Sequence, residues 1–122
     1  MPNDSSVILA SAARTTTQTS STIKNPSAKG VILFLNVTAA SGTGGLQVQA
    51  QALDPVDGTA LAVNSAPTAV TATGLKTYVI YPGASAGATQ NTSGVLPRLW
   101  NAKVTAGDSS SYTYTLSYQY LT

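Results

Sequence analysis

The stretch that decides the fold spans residues 112–120 and reads Tyr-Thr-Tyr-Thr-Leu-Ser-Tyr-Gln-Tyr. Its large side chains fall on every second residue, with Thr, Ser and Gln between them. A period of two is typical of a β-strand with one buried face, because successive side chains of a strand point to opposite sides. The stretch therefore predicts a half-buried strand in which Tyr114 and Leu116 anchor the core.

The same pattern continues upstream of this strand. Residues 46–52 alternate apolar side chains with glutamines, and residues 31–35 are apolar without interruption, as in a strand in the middle of a sandwich. Turn signals such as Asp-Gly at residues 57–58 separate these segments. About seven or eight short strands between turns predict an all-β fold, an antiparallel β-sandwich of jelly-roll type.

Residues 1–28 lack this alternation and are rich in Thr and Ser. Threonine favours extended backbone because its β-branched side chain fits a strand. We therefore predict an extended N-terminal arm over residues 1–28 and a β-sandwich domain over residues 29–122. The isolated apolar residues of this arm need something to bury them. We predict that the arm makes intermolecular contacts through four residues: Ile8, Leu9, Arg14 and Ile23.

The composition argues against several classes of partner. Only 8% of the 122 residues are charged, against about 25% in an average domain, so the surface consists mainly of Thr, Ser, Gln, Asn and Ala. The cations are scattered and form no stripe that could follow a phosphate backbone, which argues against nucleic acid. The longest apolar run, residues 31–35, is too short to cross a membrane. We expect neither nucleic acid nor a membrane as a partner.

Side chains that carry out chemistry are scarce. The chain has no His, Cys or Glu, which argues against a zinc site and against a nucleophile activated by histidine. Asp4 lies in the predicted arm, and Asp54, Asp57 and Asp108 lie in predicted turns, where a short carboxylate accepts hydrogen bonds from backbone amides. We therefore predict that the protein is not an enzyme and has no catalytic residue, no metal site and no cofactor.

The aromatic residues raise the question of sugar binding, because exposed rings can stack on carbohydrates. Trp100 alternates with Ala102 and Val104 in a further predicted strand, which favours a place in the core. The C-terminal tyrosines share a face with Leu116, which favours the same place for them. We predict Trp100 as a third core anchor, and an exposed platform for carbohydrate is the alternative.

Two groups of segments have a familiar arrangement. The first is Ser-Ala-Ala-Arg-Thr-Thr-Thr at residues 11–17, followed by the apolar strand that begins at Gly30. The second comprises Tyr-Pro-Gly at residues 81–83, Val-Leu-Pro-Arg-Leu-Trp at residues 95–100, Val-Thr at residues 104–105 and the closing Ser-Tyr-Thr-Tyr-Thr-Leu strand. Over nearly the whole chain this arrangement resembles small structural proteins of tailed bacteriophages, of the sort found in head-gene clusters.

The resemblance implies a head decoration (cement) or minor capsid protein. Such a protein lies on the outer surface of the phage head, ties neighbouring shell subunits together and has no catalytic residues. We accordingly expect the major capsid protein and further copies of this chain as partners, in a homo-oligomer. The expected location is the virion, after assembly in the host cytoplasm. The alternative is a tail, fibre or head–tail connector module, which could bind carbohydrate.

Overall fold

A computed structural model describes residues 5–65, 67–84 and 91–122 of the chain. These residues form β-strands and no helix, so the prediction of an all-β fold is confirmed. The strands of the described residues are β1 (Ser5–Arg14), β2 (Gln18–Thr19), β3 (Ile23–Lys24), β4 (Gly30–Ala40), β5 (Leu46–Leu53), β6 (Ala60–Ala62), β7 (Gly74–Ile80), β8 (Leu99–Ala106) and β9 (Tyr112–Leu121).

The strands form two antiparallel sheets that pack against each other. The first sheet has the order β1-β9-β4-β7, and the second has the order β2-β8-β5-β6, with β3 also paired to β8. β2 and β3 are two pieces of one edge, because both pair with β8 and Ser20 N donates a hydrogen bond to Ala102 O between them (2.9 Å). The predicted antiparallel β-sandwich is confirmed.

The strand pairs are nested along the chain. β1 pairs with β9, β2 and β3 pair with β8, β4 pairs with β7, and β5 pairs with β6. This is the pairing of one long antiparallel hairpin whose tip lies between β5 and β6. Two further pairings, β4 with β9 and β5 with β8, fold this hairpin over into the two sheets. The first sheet therefore ends in β1 on one side and in β7 on the other.

The core lies between the sheets and follows the alternation of the sequence. In β9, the side chains of Tyr112, Tyr114 and Leu116 are at most 1% exposed, whereas the threonines between them are partly exposed. In β8, Trp100 and Ala102 are fully buried in the same way. The period of two thus separates the core face from the solvent face in β9. In β8, Asn101 lies between the two core residues and is also buried, at 8% exposure.

β4 lies in the middle of the first sheet, between β9 and β7. Val31, Leu33 and Leu35 are fully buried in the core. Ile32 and Phe34 point to the opposite face and are only partly buried. The uninterrupted apolar run is therefore buried on one side only, and the outer face of the sheet carries apolar surface beside β7.

The structure corrects the predicted N-terminal arm. Residues 5–14 form β1, which pairs with β9 from Ser5–Gln119 to Arg14–Tyr112, and residues 18–24 pair with β8. These strands belong to the sandwich, so the predicted boundary between residues 28 and 29 does not separate two parts. The alternation is missing from the sequence because all three are edge strands, whose side chains are less completely buried. Residues 1–4 of the predicted arm lie outside the described residues.

Two other segments connect strands of the sandwich. Residues 67–72 form a single bridge between Val70 and Leu46, with N···O distances of 2.8 and 3.0 Å. The segment between β7 and β8 includes residues 85–90, which lie outside the described residues.

Candidate interaction surfaces

The aspartates of the described residues cap turns. Asp54 Oδ1 accepts a hydrogen bond from Val56 N (2.8 Å), and Asp57 Oδ1 accepts one from Thr59 N (2.9 Å). The hydrogen bond from Thr59 holds the pKa of the Asp57 carboxyl below its ordinary value, because it favours the charged form. Both carboxylates are thus engaged in their own turn, as their positions in the sequence predict. Asp4 lies outside the described residues.

Asp108 joins two turns at one end of the sandwich. Its Oδ2 accepts a hydrogen bond from Gly44 N (2.8 Å), and its Oδ1 accepts one from the Tyr112 hydroxyl (3.3 Å). The same hydroxyl accepts a hydrogen bond from Gly45 N (2.9 Å). The Gly44 amide is the main cause that lowers the pKa of Asp108. The carboxylate therefore fastens the β4–β5 turn to the β8–β9 turn, and its role is structural.

The aromatic residues form a cluster inside the sandwich. Trp100 is 0% exposed and meets Tyr118 and Tyr120 edge to face, with ring centroids 5.5 and 6.3 Å away. Trp100 Nε1 donates to the Tyr120 hydroxyl (3.3 Å), which in turn donates to Lys24 O (2.9 Å). Burial raises the pKa of the Tyr120 hydroxyl. The indole ring is enclosed on both faces and offers no stacking surface to a sugar.

The residues predicted as core anchors, Trp100, Tyr114 and Leu116, all lie in the core. The Tyr114 hydroxyl is buried and has no hydrogen-bond partner among the described residues. Burial also raises the pKa of Tyr114. This hydroxyl costs free energy on folding, since a buried polar group without a partner loses its hydration.

The residues predicted to form an interface occupy two separate places. Ile8, Leu9 and Ile23 are partly buried and pack against the core from its edge. Ile8 and Ile23 also line one cleft of about 150 Å³, which opens between β1 and the β2–β3 edge, with Tyr118 among its other walls. Arg14 lies at the far end of β1 and does not reach this cleft.

Arg14 holds β1 against β9. Its guanidinium donates to Ala10 O (2.6 Å) in β1 and to Tyr114 O (3.1 Å) in β9. The guanidinium carbon lies 4.8 Å from the centroid of the Tyr114 ring, within the range of a cation–π contact. The contacts that the structure shows for Arg14 are therefore within the chain.

β1 is the less deeply packed edge of the first sheet. Over residues 6–14, where its side chains are described, no residue is fully buried. Val7 is 58% exposed although it belongs to an apolar run. The pairing with β9 shifts register twice, between Val7 and Leu9 and between Leu9 and Ala12. Such bulges are a common way to protect an edge strand from further pairing.

A larger groove of about 520 Å³ follows the opposite edge of the first sheet. One wall is the segment 68–73, which the bridge at Val70 holds to the second sheet, and the other wall is residues Leu75 to Tyr78 of β7. The amino-acid sequence alone did not predict this groove. The signal that could have found it is Lys76, because a lysine within a short strand is typical of an exposed edge.

Within the described residues, no group of three or more His, Cys, Asp or Glu side chains could hold a metal ion. The same residues include no helix long and apolar enough to cross a membrane. Comparisons of the chain with protein-family models, with curated proteins and with solved structures found no match.

Proposed function

We propose that this chain is a structural protein of a virus particle, a decoration or cement protein on the outer surface of a tailed-phage head. In this role it bridges neighbouring subunits of the major capsid protein, acts in several copies and carries out no chemistry. The proposal starts from the resemblance of its sequence segments to phage head proteins. The strand topology and the edge strand β1 support it further.

The nested pairing of the strands supports a jelly-roll form of the sandwich. A jelly roll is a long antiparallel hairpin folded over into two sheets, with its pairs of strands nested from the termini to the tip. The order of the two sheets fits that description. This architecture occurs in viral capsid proteins and also in lectins. It therefore supports a role in a virus particle but does not by itself choose between the head and a sugar-binding fibre.

The observation that carries the proposal is the apolar edge strand β1. Val7 is 58% exposed, and Ile8 and Leu9 are incompletely buried, so three consecutive apolar residues lie at the surface of one edge strand. The other large exposed apolar side chains of the described residues lie outside this run: Val56, Leu61, Leu75 and Val95. A binding site used many times over a lattice needs only a weak contact at each copy, because the copies reinforce one another. A modest apolar strand is sufficient for such a contact. The enclosed position of Trp100 argues against the carbohydrate-binding alternative.

The test uses particles of the virus that encodes the chain, produced without this protein. Purified protein is added back, and the number of bound copies and the rupture temperature of the particles are measured. We expect saturable binding and a higher rupture temperature. Binding should persist in concentrated salt, where screening shortens the Debye length to about 3 Å at 1 M, because the contact is mainly apolar.

Two matched variants locate the contact. Val7→Asp places a charge on the exposed face of β1, whereas Val56→Asp changes a valine that is 92% exposed in the β5–β6 turn. We expect Val7→Asp to lose binding and Val56→Asp to bind as the unchanged protein does. If the unchanged protein neither binds nor raises the rupture temperature, the cement role is wrong and the tail or fibre alternative takes its place.

A further inference from the structure

Among the described residues, the edge of β7 that faces away from β4 has backbone groups without a hydrogen-bond partner. Val79 O accepts a hydrogen bond from Thr92 N (2.7 Å), and Tyr81 N donates to Thr92 O (3.1 Å), so the polar groups of residues 79 and 81 point outward. In a strand these groups change side at every residue, so those of Leu75 and Thr77 point the same way. Within the described residues no hydrogen bond reaches them.

This edge is regular, unlike β1. β7 pairs with β4 in continuous register from Val37–Gly74 to Val31–Ile80, with no bulge. A regular strand presents its free N–H and C=O groups in one row, which is the geometry that an added strand requires. The groove beside it, about 520 Å³ in volume, is within the size range of protein binding pockets.

Lys76 gives this groove its chemical character. It is the one charged residue among the described residues of the lining, which otherwise consists of Thr, Ala and other uncharged side chains. It is exposed and has no ion-pair partner within the described part of the chain. If the backbone groups of Leu75 and Thr77 form hydrogen bonds to an added antiparallel strand, Lys76 lies between two hydrogen-bonded pairs. It then forms a non-hydrogen-bonded pair with the residue opposite it. Side chains approach most closely at that position, so the charge opposite Lys76 matters.

The position of Lys76 disfavours a second copy of the same edge. Two β7 strands related by a twofold axis at residue 76 would place Lys76 against Lys76, and like charges directly opposite each other are destabilising. An axis at Thr77 would pair Leu75 with Val79, whose carbonyl already accepts a hydrogen bond from Thr92. Both of these arrangements are therefore unfavourable for a second copy of the edge.

We propose that this groove binds an extended segment of a partner protein by strand addition to β7, with an acidic side chain of that segment opposite Lys76. Leu75 and Thr77 supply the backbone hydrogen bonds. The segment 68–73 encloses the added strand, and Lys76 selects its charge. The inference concerns the edge opposite to β1 and does not depend on the proposed role in a phage head.

The test compares two peptides that differ in one charge: acetyl-Thr-Val-Thr-Glu-Thr-Val-Thr-amide and the same peptide with Lys in place of Glu. Each is titrated into ¹⁵N-labelled protein at low salt and followed by amide chemical shifts. We expect the largest shifts at Leu75 and Thr77. The Glu peptide should bind about threefold to tenfold more tightly than the Lys peptide, because the exchange replaces an attractive cross-strand charge pair by a repulsive one.

Three variants test the mechanism. Lys76→Glu should reverse the relative affinities, so that the Lys peptide binds more tightly than the Glu peptide. Thr77→Pro removes an N–H that points away from β4, so it leaves the ladder with β4 complete and should abolish binding of both peptides. Thr77→Ala keeps that N–H and is the matched control, expected to bind as the unchanged protein does. Thermal unfolding of each variant shows that it is folded.

The proposal is overturned if neither peptide shifts these amides at millimolar concentration, or if the shifts lie along β1 instead. It is also overturned if Lys76→Glu leaves the relative affinities of the two peptides unchanged. This result is decisive even if Thr77→Pro does not fold. Particle binding tests a different edge. A protein that binds the Glu peptide but not the virus particles would refute the proposed function and retain this inference.

Discussion

The tripeptide Val-Ile-Leu occurs twice in this chain, at residues 7–9 and at residues 31–33, and both copies lie beside the same strand, β9. In β4, Val31 and Leu33 are 0% exposed. In β1, Val7 is 58% exposed and Leu9 is only partly buried. The same local sequence therefore forms the centre of the core in one place and a loosely packed edge in the other.

The difference follows from what lies on the far side of each strand. β4 has β7 as a second neighbour, which keeps it in register. Among the described residues, β1 has no second neighbour in its sheet. Its pairing changes from Val7–Ser117 to Leu9–Leu116, so that Ile8 is an extra residue. This bulge places Leu9 opposite the buried Leu116 and Val7 opposite Ser117, whose side chain points away from the core. Position in the sheet, more than propensity, thus decides burial.

The largest expected effect comes from truncating the two leucines of this repeat. Leu33→Ala leaves a cavity in a closed core and should lower the free energy of unfolding by about 3–5 kcal/mol. Leu9→Ala should lower it by only about 1–2 kcal/mol, because this side chain is half-buried at an edge. Urea unfolding of both variants measures the difference. Equal losses would mean that β1 is as much a part of the core as β4.

The second effect concerns Tyr78, which faces Leu33 across the β4–β7 ladder. Burial raises the pKa of its hydroxyl from 10.0 to about 12. The folded protein therefore holds this proton more tightly than the unfolded chain does. The corresponding stability, about 2–3 kcal/mol, is present below pH 10 and is lost as the pH rises from about 10 to 12.

Tyr78→Phe isolates this contribution from those of the other tyrosines and the lysines. The variant should lose less stability between pH 9 and 12 than the unchanged protein, while Tyr81→Phe serves as a control at a half-exposed tyrosine nearby. Chemical denaturation at a series of pH values gives the slope of the free energy of unfolding against pH for each protein. If the slopes with and without Tyr78 are the same, its hydroxyl is solvated in the folded protein.

The alternation in the sequence was sufficient to predict the sandwich and its core. Trp100 in β8, and Tyr114 and Leu116 in β9, belong to segments whose apolar side chains recur at every second residue. A half-buried strand produces this pattern in any sheet. The position of β1 could not be predicted in the same way. An edge strand with two bulges breaks the alternation, and its partner lies at the other end of the chain, so residues 5–14 resemble an arm in the sequence.

The groove beside β7 is a second feature that the sequence pattern does not predict. Its two walls are neighbours in sequence, but the groove exists only because Val70 is held to Leu46 of the second sheet. No local pattern specifies that bridge. Lys76 was visible as a charge in an otherwise uncharged strand. The role of this charge can be inferred only once β7 is known to be an edge strand, which follows from the order of the strands in the sheet.

A smaller effect is expected at Arg14, which compensates for the weak packing of β1. Arg14→Ala removes the hydrogen bonds to Ala10 O and Tyr114 O and the contact with the Tyr114 ring. The free energy of unfolding should fall by about 1–2 kcal/mol. Hydrogen exchange of the β1 amides should accelerate more than that of the β4 amides.

Arg14→Lys is the matched control for this prediction. It keeps the charge but loses the forked donors that reach both strands, so an intermediate loss is expected. If Arg14→Ala accelerates exchange in β1 and β4 equally, the side chain stabilises the whole sandwich and does not specifically fasten the edge.

The smallest effect is expected at Val7, the most exposed residue of the two tripeptides. Val7→Thr should change the free energy of unfolding by less than about 0.5 kcal/mol, since it alters a solvated side chain and keeps the β-branched shape. Val31→Thr, the same substitution in β4, should lose more because it buries a hydroxyl. Both are measured at two protein concentrations. A loss at Val7 that grows with protein concentration would mean that β1 is covered by another copy of the chain in solution, and the contrast between the two tripeptides would then hold only for the isolated chain.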